Sequence, residues 1–298
     1  ADILRLWGAT INYQDDVRIS ESIIRQVSEI YRKIRNTFKF MLGNLQNGER
    51  AFDFKATLAF NSYNLVDHFI LAKLEDVKNR VIESFDAFDF ANGMTLILNY
   101  ISNDLSSFYL DINKDVLYCE ALDSSRRKAV QSVIANVTNT LMKLLTPILS
   151  FTMEEIYQNL PLSERKANVQ LESFPLVSHD YQDDTLKMYQ TFIRLRDEVL
   201  AALEQKRSAG EIGSSQEAEI VFNVKDESLS AKLALLDADE LARLFVVSKA
   251  EIADVNTVQV NTASGEKCER CWNYRPLVET SAGKICHRCH QVVGDFHE

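Results

Sequence analysis

Four of the five cysteines fall in the last 31 residues, as Cys268-Glu-Arg-Cys271 and, after fourteen residues, Cys286-His-Arg-Cys289. Each CxxC is a knuckle whose tight turn aims two thiolates at one point, and two knuckles complete a tetrahedron of four sulfurs. Such clustered pairs, in a chain without an export signal, point to metal ligation rather than disulfides. Zinc suits four thiolates best, and four protein ligands leave no open position, so the expected site holds one structural ion. The spacer is about one residue shorter than the usual range for this pattern. His287 and His290 could substitute as ligands, but four cysteines already satisfy zinc. A tail of this size cannot fold on hydrophobic burial alone, so metal binding would supply its folding energy. Cys119 stands apart in a helical region and reads as a small buried hydrophobe.

A second set of residues could bind an anion. Between Arg18 and Lys39 six cations (Arg18, Arg25, Arg32, Lys33, Arg35, Lys39) face only Glu21 and Glu29, a local +4 in a chain of net charge −10. Arg25, Arg32 and Lys39 are seven apart and share a helix face, with Arg35 one turn from two of them. Such a row could track a phosphate backbone, although from pattern alone a solvated helix face is the plainer reading. Ser125-Arg126-Arg127-Lys128 makes a second basic knot at a helix start, where cations oppose the helix dipole. In the tail, Arg270, Trp272, Tyr274, Arg275 and Arg288 stand among the metal ligands. Trp272 either stacks an unpaired base or covers the metal cluster against water, and both readings stand on sequence alone.

These groups need elements to position them, and helical periodicity supplies most. Ile23, Val27, Ile30, Ile34, Phe38, Met41 and Leu45 form one stripe of a long helix that Ser20 caps and Asn47-Gly48 ends. Further helices are expected at roughly 65–85, 94–108 and 130–148, with Pro147 marking a break, and at 183–207. Residues 161–179 lose periodicity and read as a connector. Beyond Gly213 the period changes. Ala218, Ile220, Phe222 and Val224 alternate as a half-buried strand, and strands are also expected at 244–247 and 255–260, with a short helix near 229–236. No 18-residue apolar run or leader is seen, so no membrane is expected. The acidic balance makes the chain a poor non-specific binder of nucleic acid. No GxSxG, HExxH, P-loop or GxGxxG pattern is present, and the five histidines form no acid–base arrangement, so the chain reads as a binder.

Specific stretches carry a resemblance. Ala1-Asp2-Ile3-Leu4-Arg5-Leu6-Trp7, Asp16-Val17-Arg18-Ile19-Ser20 and Tyr31-Arg32-Lys33-Ile34-Arg35-Asn36-Thr37 resemble the region after the catalytic domain of bacterial isoleucyl-tRNA synthetases. Asp104 to Asp111, Lys114-Asp115 and Leu117-Tyr118, with Arg126-Arg127 and Pro147, are similar to a class I pattern shared with valyl and leucyl relatives. Lys267-Cys268-Glu269-Arg270-Cys271-Trp272 is similar to the C-terminal zinc motif that separates the isoleucyl enzymes from those relatives. His287 stands where that family often has proline, which leaves the four ligands intact.

The resemblance implies a mainly α chain: a helical-bundle anticodon-binding domain, a small α+β module and a four-cysteine zinc finger. The expected division is 1–160 for the bundle, 161–182 for a connector, 183–265 for a helix with the α+β module, and 266–298 for the zinc-binding domain. It implies isoleucine tRNA as partner, met by Arg18, Arg25, Arg32, Arg35, Lys39, Arg270 and Trp272, with no DNA. It also implies a cytoplasmic monomer whose parent enzyme, isoleucine–tRNA ligase, uses ATP and Mg in a catalytic domain upstream of Ala1. No catalytic residue is expected in this chain. Two alternatives remain at this point: a zinc-finger DNA-binding protein similar to formamidopyrimidine-DNA glycosylases, and a zinc-containing adaptor for another protein.

Overall fold

The computed structural model describes residues 1–45, 57, 62–162, 166–178, 183–281 and 283–294. The Asn47-Gly48 stop, His179 and His297 lie outside the described residues. The chain forms two compact units, residues 1–110 with 128–182, and residues 111–127 with 183–298.

The first unit is helical: α1 (Asp2–Thr10), α2 (Glu21–Asn44), α3 (Leu65–Asp86), α4 (Phe90–Asn99), the part of α6 (Ser125–Leu145) from Lys128 onward, and α7 (Ser150–Asn159). Ser20 caps α2 by accepting from the Ile23 amide, as its sequence suggests. Val27, Ile34, Phe38, Met41 and Leu45 of the expected stripe are buried. The helix expected at 94–108 is real but changes type: α4 runs on into a π-helix, Tyr100–Tyr109. Tyr100, Leu105 and Tyr109 are buried there, spaced five and four apart. The i→i+5 ladder widens the turn so that these three share a face, which a 3.6-residue pattern does not foresee. Helices α1 and α7 were not anticipated. Asp2 positions both: its buried carboxylate accepts from the Thr152 amide at 2.8 Å and the Thr152 hydroxyl at 2.5 Å, at the start of α7. A negative charge there also suits the helix dipole.

Inside this unit Asp67 is fully buried. Its Oδ2 accepts from the Asn64 amide at 3.0 Å in a capping box, and its Oδ1 accepts from the Tyr109 hydroxyl at 2.6 Å. That bond ties α3 to the π-helix across the core.

The second unit contains α5 (Lys114–Cys119), α8 (Asp183–Ser208) and a three-stranded sheet of order β2-β1-β3. β1 (Ala218–Phe222) pairs in parallel with β2 (Lys249–Ile252) and antiparallel with β3 (Gln259–Thr262). The parallel connection passes through α9 (Glu227–Leu233) and α10 (Ala238–Arg243). Phe222 packs on Phe245, centroids 5.0 Å apart, and Phe245 on Phe192 of α8 at 6.3 Å. The alternation of Ala218, Ile220 and Phe222 holds, all three being buried.

Leu244–Val247 is not a strand. It closes α10: the Val247 amide bonds Ala242 O and the Val246 amide bonds Arg243 O, with Val246 left-handed at φ 57°. This is a Schellman closure with valine where glycine is usual. Leu244, Phe245 and Val247 are buried and Val246 half-buried, and so short an apolar run reads alike as strand or helix end, which is why the pattern misleads. The strand expected at 255–260 lies instead at Gln259–Thr262. Small paired strands β4 (Glu266–Lys267) with β5 (Tyr274–Arg275), and β6 (Leu277–Thr280) with β7 (Gly283–Cys286), lead into α11 (His287–Gly294). Among the described residues no helix is long and apolar enough to cross a membrane.

The Asp67–Tyr109 bond gives a direct stability test. Tyr109→Phe leaves a buried carboxylate short of one donor and is expected to cost about 1–3 kcal/mol in urea unfolding. A change below about 0.5 kcal/mol would mean that another group takes over the donor role.

Candidate metal centre and nucleic-acid interface

The tail is held by short-range hydrogen bonds that aim its sulfurs inward. The Trp272 amide donates to Cys268 O at 2.9 Å, and the Cys268 amide to Asn273 O at 2.9 Å, closing the first knuckle. The Glu269 amide donates to Lys284 O at 3.1 Å, joining that knuckle to β7, and the Cys286 amide donates to Cys268 Sγ at 3.2 Å. The second pair is built differently, with Cys286 ending β7 and Cys289 in the first turn of α11.

All four cysteines are buried, and their sulfurs lie within 4.8 Å of one another. Cys271 and Cys286 sulfurs are 3.8 Å apart, and a tetrahedron with metal–sulfur bonds of about 2.3 Å has edges of about 3.8 Å. The donor set therefore fits a tetrahedral metal ion. Hydrogen bonds among the sulfurs push Cys271 up and Cys286 down from the usual thiol range. Metal binding requires all four as thiolates, so it would release the protons the sulfurs share. His287 and His290 are exposed and outside the sulfur cluster.

Apolar cover comes from Ile285, Leu277 and Val293, joined by Cys119. Cys119 is buried, as its type suggests. Its Sγ lies 3.6 Å from Arg270 O, while Arg270 Nη1 donates to Cys119 O at 2.7 Å, so α5 grips the first knuckle from both sides. Trp272 remains 57% exposed at φ 67°, with Lys267 Nζ 5.4 Å from its ring centroid. More than half of the indole therefore faces solvent, and Trp272 is not among the apolar residues packed on the sulfur cluster.

The other tail arginines are paired with carboxylates. Arg288 grips Asp115 with two bonds of 2.6 and 2.5 Å, and Arg243 lies 3.6 Å from Asp115 and 3.5 Å from Glu120. Arg275 meets Asp239 at 2.7 Å. Burial works against the charge on Arg288, but the Asp115 hydrogen bonds outweigh it and raise its pKa. Burial likewise pushes the Asp239 carboxyl up, and Arg275 with the nearby guanidiniums more than offsets this and holds it low. Beside this network lies a cavity of about 500 Å³. Trp272 and Val246, both left-handed, line it.

In the first unit, Arg18, Arg25, Arg32, Arg35 and Lys39 are all exposed, and the last four lie on α2. Arg25 pairs with Glu21 at 2.6 Å and Arg32 with Glu29 at 3.0 Å along their own helix. Arg35 pairs with Glu155 of α7, which sequence reasoning missed because no spacing rule links residues 120 apart. Arg18 and Lys39 have no ion pair among the described residues. Of the second basic knot, Arg126 donates to Asn113 at 3.2 Å and Arg127 to Glu120 O at 3.5 Å, so both are engaged internally.

A mainly helical chain with a small sheet module and a buried four-cysteine cluster is a defined class of architecture. A family model described as the anticodon-binding domain of tRNA ligase matches residues 67–222. The chain belongs to that family. It is 38% identical over 305 residues to the isoleucine–tRNA ligase of Thermotoga petrophila, covering 98% of this chain and 33% of the relative. It is similar to isoleucine–tRNA ligases of Staphylococcus epidermidis, 39% identical with coverage of 98% and 32%, and of Geobacillus kaustophilus, 40% identical with coverage of 100% and 34%. The chain spans about a third of the length of the curated relatives it matches.

Two outcomes check this site. Stripping metal with a strong chelator is expected to open residues 266–294 to trypsin while most helical circular dichroism persists. One equivalent of zinc restores protection, but not in Cys289→Ser. Protection unchanged by chelation would assign the cluster to thiol packing alone. Arg288→Gln, which leaves Asp115 without its bidentate partner, is expected to cost roughly 3 kcal/mol, the low end for breaking a buried pair, in thermal or urea unfolding.

Proposed function

We propose that this chain recognises the anticodon stem-loop of isoleucine tRNA, as part of a longer isoleucine–tRNA ligase that attaches isoleucine to its tRNA with ATP. The family match over residues 67–222, with relatives about 38% identical over nearly the whole chain, carries the reading. In this reading the helical bundle within residues 1–160, apart from 111–127, which belong to the second unit, meets the stem-loop, and 161–182 lead on to a module at 183–265. Residues 266–298 hold one structural zinc ion through Cys268, Cys271, Cys286 and Cys289. Zinc supplies cross-linking, not catalysis, because four thiolates fill its coordination. ATP and Mg act in a catalytic domain outside this chain, and the parent works as a cytoplasmic monomer.

The chemistry of the surface supports an RNA partner. Exposed Trp272 beside Arg270 offers a stacking face on a braced turn, and base–aromatic stacking is worth about 1–3 kcal/mol per base. Arg18, Arg25, Arg32, Arg35 and Lys39 supply cations for the phosphate backbone. No observation favours the DNA-glycosylase or adaptor alternatives.

Zinc-loaded protein is expected to bind isoleucine tRNA more tightly than the same tRNA with a changed anticodon, in fluorescence anisotropy across a salt series. Trp272→Ala should weaken the first about tenfold or more, the cost of one lost stack. Equal affinity for both RNAs would end the anticodon reading.

A further inference from the structure

The cations of α2 are not equivalent. Arg25 and Arg32 hold carboxylates three or four residues away on their own exposed helix, pairs that exchange readily and are worth little. Arg35 is held across the fold. Its Nη1 and Nη2 each donate to one oxygen of Glu155, both at 2.6 Å. This fork-on-fork geometry is also the one a guanidinium uses on a phosphodiester. The pair opens on a cleft of about 400 Å³ that Asn36, Lys39 and Asn159 also line. Lys39 has no ion pair among the described residues, so the cleft holds a spare positive charge next to an occupied one.

We infer that this cleft between α2 and α7 is a phosphodiester subsite with Glu155 as its built-in competitor: the carboxylate occupies Arg35 in the free protein, and an RNA backbone phosphate displaces it. The inference rests on the reading that this helix face meets RNA. Carboxylate and phosphate offer Arg35 nearly the same two bonds, so a phosphate arriving alone gains little by the exchange. A phosphate already held in place by contacts elsewhere acts at high effective concentration and wins. Glu155 therefore weakens loose binding more than correct binding, and discrimination comes from what it withholds. Hydrogen bonding from Arg35 holds the Glu155 carboxyl below the usual range, so the competitor stays charged at neutral pH. Arg35 and Glu155 each keep about half of their side-chain surface in water, so losing one leaves no buried charge behind.

The test uses the full chain and three probes over a salt series: isoleucine tRNA, the same tRNA with a changed anticodon, and poly(U). Glu155→Gln is expected to raise affinity for all three about three- to tenfold and to steepen the logarithmic salt slope by about one contact. The ratio between the two tRNAs should fall. Arg35→Gln should abolish this gain in the Glu155→Gln background and cost less in the wild type. Glu155→Asp, too short to reach both nitrogens, should give an intermediate gain and serves if the glutamine variant melts early. Unchanged or weaker poly(U) binding by both Glu155 variants would overturn the inference and leave the pair as a strut between helices. Absence of anticodon preference in the wild type overturns the proposed function instead, and the poly(U) result still decides the role of Glu155.

Discussion

Bringing four sulfurs within 4.8 Å of one another is the constraint on which the C-terminal residues depend. Around them the ordered pieces are strands of two to four residues and one eight-residue helix, too little to enclose a core. The Trp272 amide on Cys268 O and the Cys268 amide on Asn273 O close the first knuckle, the Glu269 amide on Lys284 O ties it to β7, and the Cys286 amide reaches the Cys268 sulfur itself. The same loops fix Trp272 in a left-handed conformation that a tryptophan would not adopt unaided. The fold of the first knuckle thus sets the direction of the largest exposed side chain in the tail.

Electrostatics follows a second rule. The chain carries 43 carboxylates against 33 lysines and arginines, and the structure distributes that excess as partners. Arg243, Arg275 and Arg288 are tied to Asp115, Glu120 and Asp239, and Arg25, Arg32 and Arg35 to glutamates of their own unit. Buried guanidiniums need such partners to stay charged at tolerable cost. On the surface, the same pairing keeps a cationic face from attracting every polyanion equally.

Much of this was legible in the residues, and the failures have physical causes. The stripe of α2, the Ser20 cap, the alternation of β1 and the paired CxxC spacing are local patterns, and each holds. Leu244–Val247 fails because four consecutive apolar residues are too few to show a strand or helix period. The π-helix fails because its wider turn shifts the buried face at Tyr100, Leu105 and Tyr109. Helices α1 and α7 are short, and Asp2, which positions both, acts from about 150 residues away. The partners of Arg35 and Arg288 are equally remote in sequence. Residue type announced that these cations needed carboxylates, and only the fold says which.

Neither unit is a continuous stretch of chain. Residues 111–127 belong with 183–298, while the chain on both sides of them belongs to the first unit. On a ribosome adding about 5–20 residues per second, α5 and Asp115 would wait roughly six to thirty-five seconds for Arg243, Arg270 and Arg288 to appear. Through that interval the carboxylates of Asp115 and Glu120 stay solvated, and Cys119 has no sulfur neighbour to pack on. Completion of the second unit is therefore a late event in the life of the polypeptide, and no single cut in the chain can separate the two units intact.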